Sequence, residues 1–367
     1  MPYEKLLSPV TLGAVALPTR VVMAPLTRNR AGQPGDVPTD LNAEYYRQRA
    51  DAALIVTEAT HISRQGQGYA QAPGIYSDAQ EAGWQKVVNA VQAKKGRIAL
   101  QLWHVGRISH RSLQEGGEAP VAPSAIRADG AQVFVVDAQG RGSMQPTDTP
   151  RALDTAEIPK IVDQYAAAAE RCKRIGFDMV EVHGANGYLL QQFMSTNTNQ
   201  RTDRYGGSLD NRARLTLEVL EAVCGVFGAD RVGLRLSPNF TGHAIADGES
   251  EQISLLVARE LSRLHGAYVH IAEPDWVGGK PLSLDFRKSL RKAFNGGLIV
   301  CGNYTAQTAE ERIVSGLTDA VAFGRPFIAN PDLIERFRRD APLNEADRNT
   351  FYGGDAKGYT DYPTLEA

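Results

Sequence analysis

Short apolar runs recur along the chain, and between them lie longer stretches whose apolar positions repeat at helical spacing. The runs at 21–25, 53–58, 98–103, 179–183, 232–236, 268–271, 298–301 and 320–323 predict strands. Helices are predicted at roughly 39–50, 78–95, 155–175, 209–227, 251–265, 284–294, 305–315 and 331–339. Within the third, Thr155, Ile158, Val162, Tyr165, Ala166 and Ala169 fall on one face. Ser208, before Leu209, Asp210 and Asn211, has the chemistry of an N-cap followed by an acid in the first turn. Strands this continuously apolar are covered on both sides, and each precedes a helix. The pattern predicts an α/β fold, a closed parallel (β/α)8 barrel of the TIM type.

Two segments break the rhythm. Residues 1–20 hold Gly13 between the alternating Leu12, Val15 and Leu17, which suits a hairpin plugging the barrel's N-terminal end. Residues 104–150 form a long insertion after the third strand. In it, 133–136 and 141–145 flank Asp137-Ala138-Gln139-Gly140, a second hairpin. An insertion on such a loop is expected to serve as a lid or pocket wall, so residues 1–367 are expected to form one domain.

Composition narrows the setting. The chain has 367 residues, 43% hydrophobic and 22% charged, with a net charge of −2, which gives no electrostatic case for nucleic acid or an anionic membrane. No apolar run reaches the ~20 residues that span a bilayer, and the first residues lack the form of a signal peptide. Cys172, Cys224 and Cys301 are widely spaced and fit no metal or iron–sulfur pattern. The expectation is a cytoplasmic protein with reduced thiols and no metal.

The chemistry concentrates where barrel strands end, which is where such barrels build their sites. The stretch from Val180 to Tyr188 runs an apolar strand straight into His183, Asn186 and Tyr188, spaced by Gly and Ala, with Gln191, Gln192 and Asn197 beyond. His183 and Asn186 can both donate to one oxygen, and Tyr188 carries a proton at neutral pH. Together they suit activation of a carbonyl or nitro group and protonation of the neighbouring carbon. Other strand ends offer Ala24-Pro25-Leu26-Thr27-Arg28, Glu58-Ala59-Thr60, Gln101-Leu102-Trp103-His104, Arg235, Gly302-Asn303 and Gly324-Arg325-Pro326. Gly302 and Gly324, with Arg325, suit a phosphate held by backbone N–H groups and a guanidinium. Arg235 reads either as half of a buried ion pair or as a cation facing negative charge on a bound ring. No lysine stands at a strand end, which argues against a Schiff-base aldolase.

These residues resemble the old yellow enzyme family of FMN-dependent ene-reductases, in the branch of bacterial pentaerythritol tetranitrate and N-ethylmaleimide reductases. The resemblance rests on 22–28, 101–107, 183–193, the stretch Asn199-Gln200-Arg201-Thr202-Asp203-Arg204-Tyr205-Gly206-Gly207-Ser208 with Asn211-Arg212, and 323–326. It implies that Thr27 bonds the flavin C4 carbonyl, Gln101 meets the pyrimidine edge and Arg235 lies near N1 and O2. Ala24, Pro25, Leu26, Ala59, His183, Gly302, Asn303, Gly324 and Arg325 complete the implied FMN site. His183 and Asn186 would bind the substrate oxygen and Tyr188 would donate the proton, while Tyr69, Trp103, Trp276 and Tyr352 resemble pocket walls. NADPH (or NADH) would be the hydride donor in a ping-pong cycle. An α,β-unsaturated carbonyl or nitro compound would be the acceptor, with nitrate esters and nitroaromatics as further candidates. A monomer or homodimer is implied.

The chain departs from some relatives in having Asn186 where they carry His, and it is of the Thr27 rather than the Cys type. The runner-up reading is a cofactor-free lyase or isomerase on a phosphorylated substrate, which leaves Thr27, Gln101 and Arg235 without a shared purpose. A flavin-storage protein is a third, but pure binding needs no placed proton donor.

Overall fold

Eight strands close into a parallel ring: Val21–Met23, Leu54–Val56, Ile98–Trp103, Met179–His183, Val232–Leu236, Tyr268–Ala272, Gly297–Cys301 and Ala320–Phe323. Pairing of Val321 with Val21 joins the last strand to the first, and all the ring's pairings are parallel. The structure, a computed structural model, describes residues 3–365 except 138 and 278, and the side chain of Trp276 lies outside the described residues. The ring and its outer helices are the expected (β/α)8 barrel.

Side-chain volume explains the interior. Its lower half is filled by Val22, Ala24, Leu54, Val56, Ala99, Met179, Tyr268, Ile299, Ala320 and Ala322. The antiparallel hairpin Val10–Leu12 and Val15–Leu17 closes this end, with Leu12 and Leu17 buried against the same cluster. Each large aliphatic group so buried contributes about 1.5–3 kcal/mol. Gly13 turns the hairpin at φ +54°, and a Cβ there would meet the Asp230 carbonyl oxygen at 1.9 Å, so only glycine fits.

Higher in the barrel the inward positions change from apolar to polar. Glu181 is in register with Gln101, His183 with Arg235, and Arg235 with His270. The insertion after the third strand carries the hairpin Gln132–Val136 and Gly142–Pro146. Its Val133 and Val135 pack with Val105, Ile108 and Trp103, so the hairpin lies against the aromatic side of the mouth.

Several boundaries differ from those expected, for local reasons. The helix expected over 155–175 opens as a 3-10 turn, Thr155–Glu157, and becomes α-helical over Ile158–Arg174, with Pro159 in the first turn where its missing N–H is harmless. The helix expected to reach 95 stops at Gln92, and Lys95 takes φ +62°. The second strand stops at Val56 because the Glu58 N–H donates to the Tyr46 hydroxyl at 2.9 Å. Thr60–His61 then rejoins the third strand. Two short helices, Leu189–Met194 and Arg325–Ala329, are too brief to show a period in sequence. Ser208 caps the helix Leu209–Phe227 as expected, its hydroxyl accepting from the Asn211 N–H.

Candidate active site

Strand register and turn geometry bring His183, Asn186 and Tyr188 to one mouth. His183 ends its strand, almost wholly buried. The Ala185 N–H donates to its Nδ1 at 3.2 Å, which puts the ring proton on Nε2. Burial, reinforced by the positive Arg235, pushes the imidazole well below its ordinary range, so it is a neutral N–H donor. Asn186 sits in the left-handed region at φ +56°. Its N–H donates to the Ser237 hydroxyl at 2.7 Å, and its carbonyl lies 2.8 Å from His243 Nδ1. Ser237 in turn donates to Gln191 Oε1 at 2.9 Å, and that oxygen also accepts the Gly187 N–H. This scaffold fixes the turn, while the Asn186 Oδ1 is buried with no partner among the described residues.

Tyr188 stands edge-on to both Trp103 and His183, with ring centroids 4.8 Å and 5.1 Å away. Burial pushes its hydroxyl well above the ordinary phenol range, so the proton stays on oxygen. Its hydroxyl lies 3.4 Å from that of Tyr69, which burial pushes up to about 12. Tyr69 and Trp103 stack nearly parallel at 5.7 Å. Tyr352 is 68% exposed at the rim. Arg28 and Arg30 hold its segment by donating to the carbonyls of Thr350, Phe351, Asp355 and Gly358. The expected wall residue Trp276 lies, by its side chain, outside the described residues.

Beside this trio lies a second set of polar groups. Arg235 is 7% exposed and has no carboxylate within ion-pair distance among the described residues. Its Nε is buried with no hydrogen-bond partner among the described residues, and its Nη2 lies 3.8 Å from Cys301 Sγ. The ion-pair reading of Arg235 is therefore not realised, and a guanidinium this buried fits a ligand with negative charge. Gln101 donates through Nε2 to Glu181 at 2.6 Å, while its Oε1 has no donor among the described residues. Thr27 is half-buried on the loop after the first strand, with Ala24 buried beneath it. A guanidinium with no carboxylate partner, and an amide oxygen and a hydroxyl with no hydrogen bond among the described residues, fit the polar pyrimidine edge of a flavin.

The phosphate end is less open. The Asn303 N–H, expected to meet phosphate, donates to Asp275 Oδ2 at 2.6 Å. The Arg325 guanidinium is exposed and reaches Asn303 Oδ1 at 3.3 Å. Sequence reasoning missed Asp275, and it also missed Glu181 and His270. An acid in an otherwise apolar strand, two residues before His183 and hence on the same face, was the available signal for Glu181.

Comparison with known proteins agrees with this geometry. Residues 5–344 match the NADH:flavin oxidoreductase / NADH oxidase family. A 12-oxophytodienoate reductase of Oryza sativa subsp. japonica is 42% identical over 369 residues, covering 98% of this chain and 93% of its own. A morphinone reductase solved in complex with tetrahydroNAD is 56% identical with a TM-score of 0.95, covering 98% of each chain. An old yellow enzyme homologue from Zymomonas mobilis is 43% identical with a TM-score of 0.92, covering 98% of this chain and 99% of its own. The chain belongs to the NADH:flavin oxidoreductase / NADH oxidase family. Its reaction class is the FMN-dependent reduction of activated carbon–carbon double bonds, and the cofactor-free lyase reading finds no support.

Proposed function

We propose that this mouth reduces alkenes conjugated to a carbonyl or nitro group, with His183 and Asn186 holding the oxygen and Tyr188 supplying the proton. The observation that carries this reading is the pairing of two neutral donors. The Ala185 bond leaves His183 Nε2 protonated, and Tyr188 beside it keeps its own proton. Hydrogen bonds to the oxygen draw electron density from the alkene and stabilise the enolate-like charge that forms as the far carbon is reduced. Tyr188 then protonates the carbon next to the carbonyl or nitro group. Trp103 and Tyr69 supply flat apolar surface on one side.

Ala24, Pro25, Leu26, Thr27, Ala59, Gln101, His183, Arg235, Gly302, Asn303, Gly324 and Arg325 would hold FMN. When bound, FMN would supply the redox chemistry, hydride transfer from a nicotinamide nucleotide to the alkene. The sequence reading favours NADPH as donor, and the tetrahydroNAD complex of the 56%-identical morphinone reductase supports NADH as well. Three free cysteines support a reducing, cytoplasmic setting for an enzyme of small molecules, working as a monomer or homodimer.

Isotope placement tests the division of labour. With 4-deuterated nicotinamide donor in ordinary water, 2-cyclohexenone should gain deuterium at the β-carbon only. With ordinary donor in D2O, it should gain deuterium at the α-carbon. Donor deuterium at the α-carbon would contradict the assignment of the proton to Tyr188. Comparing kcat/KM for NADH and NADPH decides the donor.

A further inference from the structure

Below the mouth, in the polar upper half of the barrel, Glu181 and His270 form an ion pair with no solvent exposure. His270 Nδ1 lies 2.9 Å from one carboxylate oxygen of Glu181, and Gln101 Nε2 donates to the other at 2.6 Å. Burial alone would raise the Glu181 carboxyl and lower the His270 imidazole. Their mutual attraction, with Arg235 and Gln101 acting on the acid and Cys301 on the base, outweighs it, so the acid sits below and the base above its ordinary value.

Burying such a pair costs several kcal/mol per ion, and apolar replacements of similar size are often neutral or stabilising. Stability alone therefore gives a weak reason for it. Its placement gives a stronger one. An ionised carboxylate accepts but cannot donate, so it accepts only the nitrogen end of the Gln101 amide. That fixes the orientation of the amide, with Oε1 left without a donor among the described residues. The Gln101 amide could otherwise flip between two orientations that present opposite hydrogen-bonding groups to a ligand.

We propose that Glu181, held between His270 and Gln101, is a positioning residue for the flavin, locking the Gln101 amide so that its Oε1 accepts from the imide N–H of the ring. This rests on the reading of Gln101 as a flavin contact. In Glu181→Gln the carboxylate is replaced by an amide that can also donate, so the Gln101 amide is free to turn and present its NH2 group to the imide N–H. The consequence is felt by the cofactor without any change at a group that touches substrate.

A double-variant cycle tests this, reading the FMN dissociation constant and the reduction potential of bound flavin in the wild type, Glu181→Gln, Gln101→Leu and the double variant. Apoprotein Tm monitors folding. Glu181→Gln is expected to weaken FMN about tenfold to a hundredfold, the scale of a hydrogen bond to a charged group. It should also shift the potential, and neither effect should add to that of Gln101→Leu. Unchanged affinity and potential, or effects that add in full, would overturn the proposal. If Gln101→Leu itself leaves both unchanged, the reading of Gln101 as a flavin contact falls, and the proposal with it. His270→Gln provides a second route should Glu181→Gln not fold. It removes the imidazole that faces the Glu181 carboxylate, makes protonation of that carboxyl easier, and should reproduce the same non-additive loss.

Discussion

The backbone N–H of Ala185 donates to Nδ1 of His183 at 3.2 Å, and this one bond decides what the imidazole offers at the mouth. With Nδ1 occupied as an acceptor and the ring neutral, Nε2 is a donor. His183→Ala should therefore lower kcat/KM for 2-cyclohexenone by about 10²–10³-fold, the range for losing one donor to developing charge. Hydride transfer from the nicotinamide donor should change far less. Steady-state kinetics paired with stopped-flow reduction checks both halves.

In the proposed mechanism Tyr188 acts later, as the proton source. Tyr188→Phe should slow reoxidation by enone by ~10²–10⁴, the usual range for a general acid, while flavin reduction is nearly unaffected. The ring should keep its place against Trp103 and His183, since only the hydroxyl is removed. Unchanged reoxidation in a single-turnover experiment would remove Tyr188 from the mechanism.

Asp275 stands where an anion is expected. Its carboxylate accepts the Asn303 N–H at 2.6 Å, so a phosphate at that amide must displace it. Asp275→Ala should tighten FMN by roughly twofold to fivefold, the scale of an exposed charge interaction. Weaker binding measured by fluorescence titration would show that Asp275 supports the site instead.

Glu58 makes stability depend on pH. It accepts the Arg28 N–H at 3.1 Å on the loop that carries Thr27, and burial pushes its carboxyl up from 4.5 to about 7. The folded protein thus binds a proton more tightly than the unfolded chain. That contribution is complete below pH ~4.5 and is lost as pH rises through about 7. Glu58→Gln should flatten this fall, which is on the order of 3 kcal/mol across the window. Urea unfolding of both proteins at pH 5 and pH 8 reads the difference.

The barrel was legible because its strands are covered on both faces and so read as unbroken apolar runs. His183, Asn186 and Tyr188 were legible because polar groups crowd directly after such a run. Other parts were not. The five- and six-residue helices at Arg325–Ala329 and Leu189–Met194 are shorter than two helical turns and show no period. Asp275 meets Asn303 across 28 positions of chain, and Glu181 meets His270 across 89, so neither partnership leaves a local trace. Arg235 could be placed in the barrel from sequence, but only the lack of a carboxylate partner among the described residues separates a ligand cation from a structural ion pair.

The most direct measurement is a visible spectrum of the purified protein, taken without oxygen before and after adding NADPH or NADH and then 2-cyclohexenone. Flavin absorbance should be present, bleach with the nicotinamide donor and return with the enone. A colourless protein that FMN cannot reconstitute, or a flavin that bleaches and does not return with the enone, would contradict the account.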